Sequence, residues 1–250
     1  MDIIGVPYHL DEHLPDLDFP LPPGQEVTAS LPAAGTWERL AVLYAAVSRA
    51  AEDAAGRGSV PVVISGDCTT SLGIVAGLQR TGADLGIVWF DAHGDVQTLE
   101  TTASGYLGGL PLRLLTGYRP ELIATALGLR PVAEHQVVLA GTRDLDPPEA
   151  SYLATAQIRC RDVTSLQPAD LPDGPLYVHL DLDVVDPSEM PGLIFPTPGG
   201  PSLAQVGSAL QHVIGTGRVA AVGIACTWHS SQPAAPGLGP WLQSALTGAG

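Results

Sequence analysis

The sequence predicts an α/β fold, a three-layer αβα sandwich around a mostly parallel sheet of about seven or eight strands. Three observations lead there. Short apolar, β-branched runs alternate with helical patterns along the chain, the signature of parallel strands joined by crossover helices. Several of those runs end in Gly and acidic residues, where strands would give way to loops. The chain has 250 residues, 45% hydrophobic and 15% charged, which suits a single core-rich domain over 1–250.

Residues 2–7 read as a first strand, stopped by Pro7. His9, Asp11, Glu12 and His13 follow in a polar loop of a kind that is more often solvated than metal-binding. The Pro-rich stretch to about Pro32 offers at most one weak strand. Gly35-Thr36 opens an amphipathic helix over 36–55, with Leu40, Leu43, Tyr44 and Val47 on its apolar face and Gly56 as its stop. Residues 60–64 form a buried strand that passes through Ser65-Gly66-Asp67-Cys68 into a helix to about Leu78. The strand 85–90 ends in Asp91-Ala92-His93-Gly94-Asp95. A Thr-, Ser- and Gly-rich loop over 97–109 follows, with Glu100 inside it, and loops of this make-up beside a site contact ligand. Helical stretches over 111–116 and 121–127 precede the strand 136–140, which ends in Arg143-Asp144-Leu145-Asp146-Pro147. A helix over 148–156, a weak strand near Ile158 and a strand over 176–183 come next. Ser202 caps a helix to about Ile214. The last strand, 219–225, ends in Cys226-Thr227-Trp228-His229, and a short tail closes the chain.

Formal net charge is -15, and all 11 basic residues are Arg. Without Lys the chain is neither a Schiff-base or PLP enzyme nor a P-loop protein. The acidic balance argues against nucleic acid and anionic membrane as partners. Cys68, Cys160 and Cys226 make no CxxC pair, which disfavours zinc ribbons and disulfide scaffolds. The N-terminus lacks the basic start of a signal peptide, and no apolar run approaches the roughly 20 residues of a membrane span. The expectation is a cytoplasmic protein acting on a small molecule.

The stretch 177–187 carries the chemistry. It reads as a buried strand, yet it holds Asp181 and Asp183, two apart and so expected on one face. Two anions at that spacing repel unless a cation or proton lies between them. Ligands also bind beyond the carboxyl ends of strands in open α/β sheets. By itself this stretch leaves two readings open, a metal site or carboxylates capping amides. The run Asp91-Ala92-His93-Gly94-Asp95 is more specific, because it offers imidazole and carboxylate ligands together. Asp91, His93, Asp95, Asp181 and Asp183, with Cys68 as a possible sixth ligand, carry too much charge for one divalent ion and suit two. Two such ions roughly 3.5–4 Å apart can hold a bridging hydroxide and clamp a tetrahedral intermediate. The carboxylate-rich set suits Mn²⁺, while a thiolate tilts preference toward Zn²⁺ or Fe²⁺.

These segments resemble the ureohydrolase family of arginase, agmatinase and formiminoglutamase. The family patterns are Gly-Gly-Asp-His, Asp-Ala-His-x-Asp and Ser-x-Asp-x-Asp-x-x-Asp-Pro. Here they stand as Ser65-Gly66-Asp67-Cys68, Asp91-Ala92-His93-Gly94-Asp95 and His179-Leu180-Asp181-Leu182-Asp183-Val184-Val185-Asp186-Pro187. Arg143-Asp144-Leu145-Asp146-Pro147 and the loop 197–200 also fit. The resemblance implies two Mn²⁺ ions bridged by Asp91 and Asp181. Cys68 and Asp95 would complete the first ion's ligands, and His93 and Asp183 would bind the second. Asp95 would also pass a proton to the leaving amine, with Glu100 as a second candidate catalytic residue. Gln97, Ser104, Asp146 and Cys226 are the candidate substrate contacts. A homo-oligomer, trimeric or hexameric, is implied as well.

Three departures stand out. Cys68 replaces the family's metal-binding His, Gly108 stands where arginase has a proton-shuttling His, and Cys226 stands where the family places a guanidinium-holding Glu. The first two, with the loop 100–109, resemble the branch that hydrolyses hydroxyarginine to hydroxyurea in D-cycloserine biosynthesis. The expected function is therefore hydrolysis of a linear C–N bond in a guanidino or amidine amino-acid derivative by a metal-bridging hydroxide, with N-hydroxyarginine as one candidate. The alternatives are a same-fold hydrolase with a non-guanidino substrate and a catalytically silent ligand-binding member. Cys68 should weaken the first metal site or make it pH-dependent, because a thiol must deprotonate to bind. Cys68 and Cys226 are expected to be unlinked buried thiols.

Overall fold

The structure, a computed structural model, describes residues 1–226, 228 and 234–247. Its strands in chain order are β1 (Asp2–Val6), β2 (Tyr8–His9), β3 (Glu12–His13), β4 (Gln25–Glu26), β5 (Pro61–Ser65), β6 (Gly86–Phe90), β7 (Val137–Ala140), β8 (Arg159–Arg161), β9 (Leu176–Asp181) and β10 (Val219–Ala225). Eight of them form one sheet in the order β4-β1-β5-β10-β9-β6-β7-β8. Each pairing in it is parallel. All the strand ends that carry acids therefore point to the same edge.

Helices cover both faces, which completes the αβα sandwich. On one side α1 (Thr36–Gly56) and α2 (Ser71–Arg80) pack over Val63, Ile87, Trp89, Leu139 and Tyr177. On the other side α6 (Leu203–Ile214) and α7 (Leu238–Thr247) cover Val62, Ile64, Val88, Phe90, Val178 and Leu180. The alternation along each strand is thus between two buried faces, so the strands read as continuous apolar runs. Shorter helices α3 (Pro111–Leu115), α4 (Ala124–Leu127) and α5 (Pro147–Leu153) lie in the connections. Gly77 sets the contact of α2 with α1, because a Cβ there would collide with the main-chain oxygen of Ser48. Among the described residues no helix is long and apolar enough to cross a membrane.

Four details differ from the sequence reading. The loop after Pro7 contains an antiparallel hairpin, with Tyr8 opposite His13. The strand expected over 176–183 stops at Asp181 and turns into a 3₁₀ segment, Leu182–Val184. The helix expected over 121–127 narrows to Ala124–Leu127. The expected short tail contains α7, which buries Leu238, Leu242, Ala245 and Leu246. Pro236-Gly237 ahead of it masked a face spaced i, i+4, i+7, i+8. Of the expected end of the last strand, Thr227 and His229 lie outside the described residues.

Candidate active site

Three strand ends build the centre. β9 delivers Asp181, and the 3₁₀ turn that follows carries Asp183 back over it. The Asp183 amide donates to Asp181 Oδ1 at 2.9 Å. The two carboxylates are therefore brought together by a turn rather than by the strand pleat that their spacing suggested. From the end of β6, the His93 amide donates to Asp91 Oδ1 at 2.7 Å, and the Ala92 amide donates to Asp183 Oδ1 at 3.1 Å. His93 Nδ1 lies 2.9 Å from Asp183 Oδ2 and 3.5 Å from Asp91 Oδ1. Beyond β5, Asp67 caps a short turn by accepting from the Thr69 amide at 2.8 Å. That turn presents Cys68, whose thiol donates to Asp181 Oδ2 at 2.9 Å. The turn and the strands explain the local sequence: apolar residues to the last buried position, then acids and Gly where the chain leaves the sheet.

The result is two adjoining sets of donor atoms. Cys68, Asp91, His179 and Asp181 offer ligand atoms within 4.8 Å of one another, and Asp91, His93 and Asp183 form a second such set. Asp91 belongs to both. Asp95 sits beside them in a left-handed backbone conformation with φ of 53°, a strained state that Asp tolerates better than most residues and that gathers at functional sites. Its Oδ2 is buried with no hydrogen-bond partner.

Electrostatics agree with this crowding. Burial, with the charges of Asp183 and Asp91 behind it, pushes the Asp181 carboxyl well up. Burial and the neighbouring Asp91 do the same to Asp95. Burial and Asp91 push Asp183 to about 6 even against His93. Asp91 goes the other way, because its bonds to His93 outweigh the burial that opposes them. Burial opposes a charge on His93, yet Asp183 and Asp91 hold its imidazole at about 12. Burial, then the Asp181 charge, drives the Cys68 thiol up. Acids packed this densely bind protons or cations to become neutral. The orphaned Asp95 oxygen and the mixed oxygen, nitrogen and sulfur donors fit divalent metal ions.

A cavity of about 290 Å³ opens onto this cluster, lined by Cys68, His93, Asp95, Gln97, Ser104, Asp146, Asp181 and Asp183 among others. Gln97 donates to Asp146 Oδ2 at 2.7 Å across its wall. Glu149, absent from the sequence reading, also lines it. Its carboxylate accepts from the Val96 amide at 3.2 Å and the Asp146 amide at 3.1 Å. An Asp-x-x-Glu spacing at the start of α5 was the available signal. Tyr106 is a second residue that was missed. It reaches the cavity through the space above Gly108, where any Cβ would fall on its ring, and its hydroxyl lies 2.9 Å from His9 Nε2. His179 is the third.

Two expected residues do not join the cavity. Glu100 is exposed; Tyr118 donates to its Oε2 at 2.5 Å and Arg119 lies 3.6 Å away. Cys226 is fully buried among the apolar residues on the opposite face of the sheet. It follows Ala225 directly, so the alternation along β10 turns its side chain away. Cys68 and Cys226 are both free thiols.

The arginase family model matches residues 16–227. The chain belongs to the arginase family. It is 32% identical over 169 residues to arginase of Bacillus caldovelox, covering 62% of this chain and 56% of that protein. It is 30% identical over 228 residues to arginase of Brucella melitensis, covering 82% and 70%. The match to the Bacillus relatives thus spans little more than half their length. In three dimensions it superposes on arginase from Bacillus cereus with a TM-score of 0.84 at 22% identity, over 100% of this chain and 98% of that one. Entamoeba histolytica arginase in complex with L-ornithine gives 0.82 at 17% identity, over 99% and 98%. These likenesses show that the arginase-family chain has the arginase fold.

Proposed function

We propose that this arginase-family protein is a dinuclear-metal amidinohydrolase, one domain over 1–250, that cleaves a linear C–N bond of a guanidino or amidine amino-acid derivative. The observation that carries the reading is Asp91, whose carboxylate belongs to both donor sets at the head of one cavity. Cys68, Asp91, Asp95 and Asp181 would hold one ion, and Asp91, Asp181, His93 and Asp183 the other. Mn²⁺ fits the carboxylates, and the sulfur of Cys68 shifts the first position toward Zn²⁺ or Fe²⁺. When bound, such a pair supplies an activated water near neutral pH. Asp95 Oδ2, buried and without a partner, is placed to take a proton there and hand it to the leaving amine. Gln97, Ser104 and Asp146, on the cavity wall, would hold the amino-acid end of the substrate.

N-hydroxyarginine, giving hydroxyurea and ornithine, is the finer reading. An N-hydroxyguanidine is less basic than a guanidine, so it can enter uncharged. A side chain at Cys226 that faces the opposite core offers no acid to a guanidinium, and a weakly basic substrate needs none. The same burial supports a second reading, a same-fold hydrolase on a non-guanidino amide. The test is incubation of the Mn²⁺-loaded protein with N-hydroxyarginine, arginine, agmatine and formiminoglutamate. Hydroxyurea and ornithine in excess over urea are expected. A metal-loaded protein that releases no product from any of the four overturns the amidinohydrolase reading.

A further inference from the structure

We propose that His179 is a metal ligand, binding the first ion through Nε2 beside Cys68, Asp91 and Asp181; this rests on the metal-dependent reading above. His179 lies in β9, opposite Trp89 of β6 and two residues before Asp181. Its neighbours Leu180 and Val178 face the α6 and α7 side, so its ring leaves the sheet on the same side as Tyr177 and Asp181. A polar residue in the middle of a buried strand is costly unless its polar atoms are used. His179 is 1% exposed, and its Nε2 is buried with no hydrogen-bond partner.

The ring is held in one pose from two sides. Nδ1 lies 3.1 Å from Ser71 Oγ, and the Tyr177 hydroxyl donates to that same oxygen at 2.7 Å. The ring stacks on Trp89 with centroids 3.7 Å apart and planes 25° apart. The Trp89 indole donates to Asp91 Oδ2 at 3.0 Å, so one side chain positions two members of the same donor set. A ring nitrogen of His179 lies within 4.8 Å of donor atoms of Cys68, Asp91 and Asp181; with Nδ1 set against Ser71 Oγ, the unpartnered Nε2 is the nitrogen left to ligate. An imidazole that donates through one nitrogen to an outer partner and ligates through the other is the usual arrangement at metal sites.

The substitution pattern says the same. Where the family patterns carry His at 68 and Ser at 179, this chain carries Cys at 68 and His at 179. The imidazole lost at the end of β5 is replaced from within β9. It restores a neutral donor where another carboxylate would add charge. The resulting sulfur, nitrogen and carboxylate set is softer than an all-oxygen one, which favours Zn²⁺ or Fe²⁺ at this position.

Two measurements on the full chain test this. In ¹⁵N-histidine-labelled wild-type protein titrated with Zn²⁺, the Nε2 resonance of His179 is expected to shift in step with metal uptake. Calorimetry with Mn²⁺ is expected to show one of two sites weakened roughly tenfold or more in His179→Ser, with recovery in Cys68→His/His179→Ser. An unmoved His179 resonance in the wild type, with metal bound, overturns the proposal and needs no variant to fold. Wild-type affinity at both sites in a His179→Ser variant that keeps its far-ultraviolet circular dichroism overturns it too. In either case turnover by the wild type leaves the amidinohydrolase reading standing. A wild type that binds no metal removes both.

Discussion

Loading the centre with Mn²⁺ should stabilise the protein, and the gain should grow as pH rises. The reason lies in the protons that occupy the metal-free cluster. Asp183 is pushed from its ordinary 3.8 to about 6. A folded value above the unfolded one means a contribution to stability that is complete below about 4 and lost as pH climbs through 6. His93 is held at about 12 from an ordinary 6.5, so its contribution is complete below 6.5 and drains away above it. Asp181 and Asp95 are shifted in the same direction. Asp91 is shifted downward and has no proton to give up in this window. The metal-free protein therefore loses stability as pH rises from 4 upward, while a cation, which must displace those protons, binds more tightly. At free metal about 100 times Kd, one site contributes about 2.7 kcal/mol. For 250 residues that is a rise in Tm of roughly 5–10 °C. Each displaced proton adds about 1.4 kcal/mol per pH unit, or about 3–5 °C. Thermal melts at fixed free Mn²⁺ between about pH 6 and pH 8 read this directly. No stabilisation at any pH, or a gain that shrinks as pH rises, would refute the reasoning.

Asp91→Asn should lower metal content at both positions, because this carboxylate serves both donor sets; elemental analysis of dialysed protein checks it. Asp146→Asn should raise KM by about 10–100-fold, the worth of a lost charge-assisted hydrogen bond, while Glu100→Gln should leave kcat and KM within about twofold, since its exposed carboxylate pairs with Tyr118 and Arg119 outside the cavity. Gly77→Ala should cost about 1–3 kcal/mol in denaturant unfolding, because α1 must back away from α2 to free the Ser48 oxygen. Gly108→His should displace the Tyr106 ring and its contact with His9, raising KM, and Tyr106→Ala in the same chain should reverse part of that loss.

The sequence carries the architecture because burial on both faces forces a strand to be apolar end to end. Any acid at its terminus then stands out, which is why Asp91, Asp95, Asp181 and Cys68 were legible as a group from a single chain. The order of the sheet strands and main helices was legible for the same reason; the hairpin of β2 with β3, expected as a polar loop, and α7, hidden behind Pro236-Gly237 in the expected short tail, were not. Side-chain direction at one position was harder. Glu100 shares a loop with Gln97, yet one carboxylate points to solvent and the other side chain lines the cavity. Cys226 follows a strand that ends at the site, but its place in the pleat sends it to the other core.

What the sequence could not hold was adjacency. Asp91 and Asp181 are far apart in the chain, and only the pairing of β6 with β9 puts their strand ends side by side. The same pairing stacks His179 on Trp89 and leaves it a buried nitrogen without a partner beside the cluster. Composition and periodicity act over a few residues and so decide which segments become strands; which strand lies next to which is a matter of global packing, and the donor sets exist only once that packing is complete.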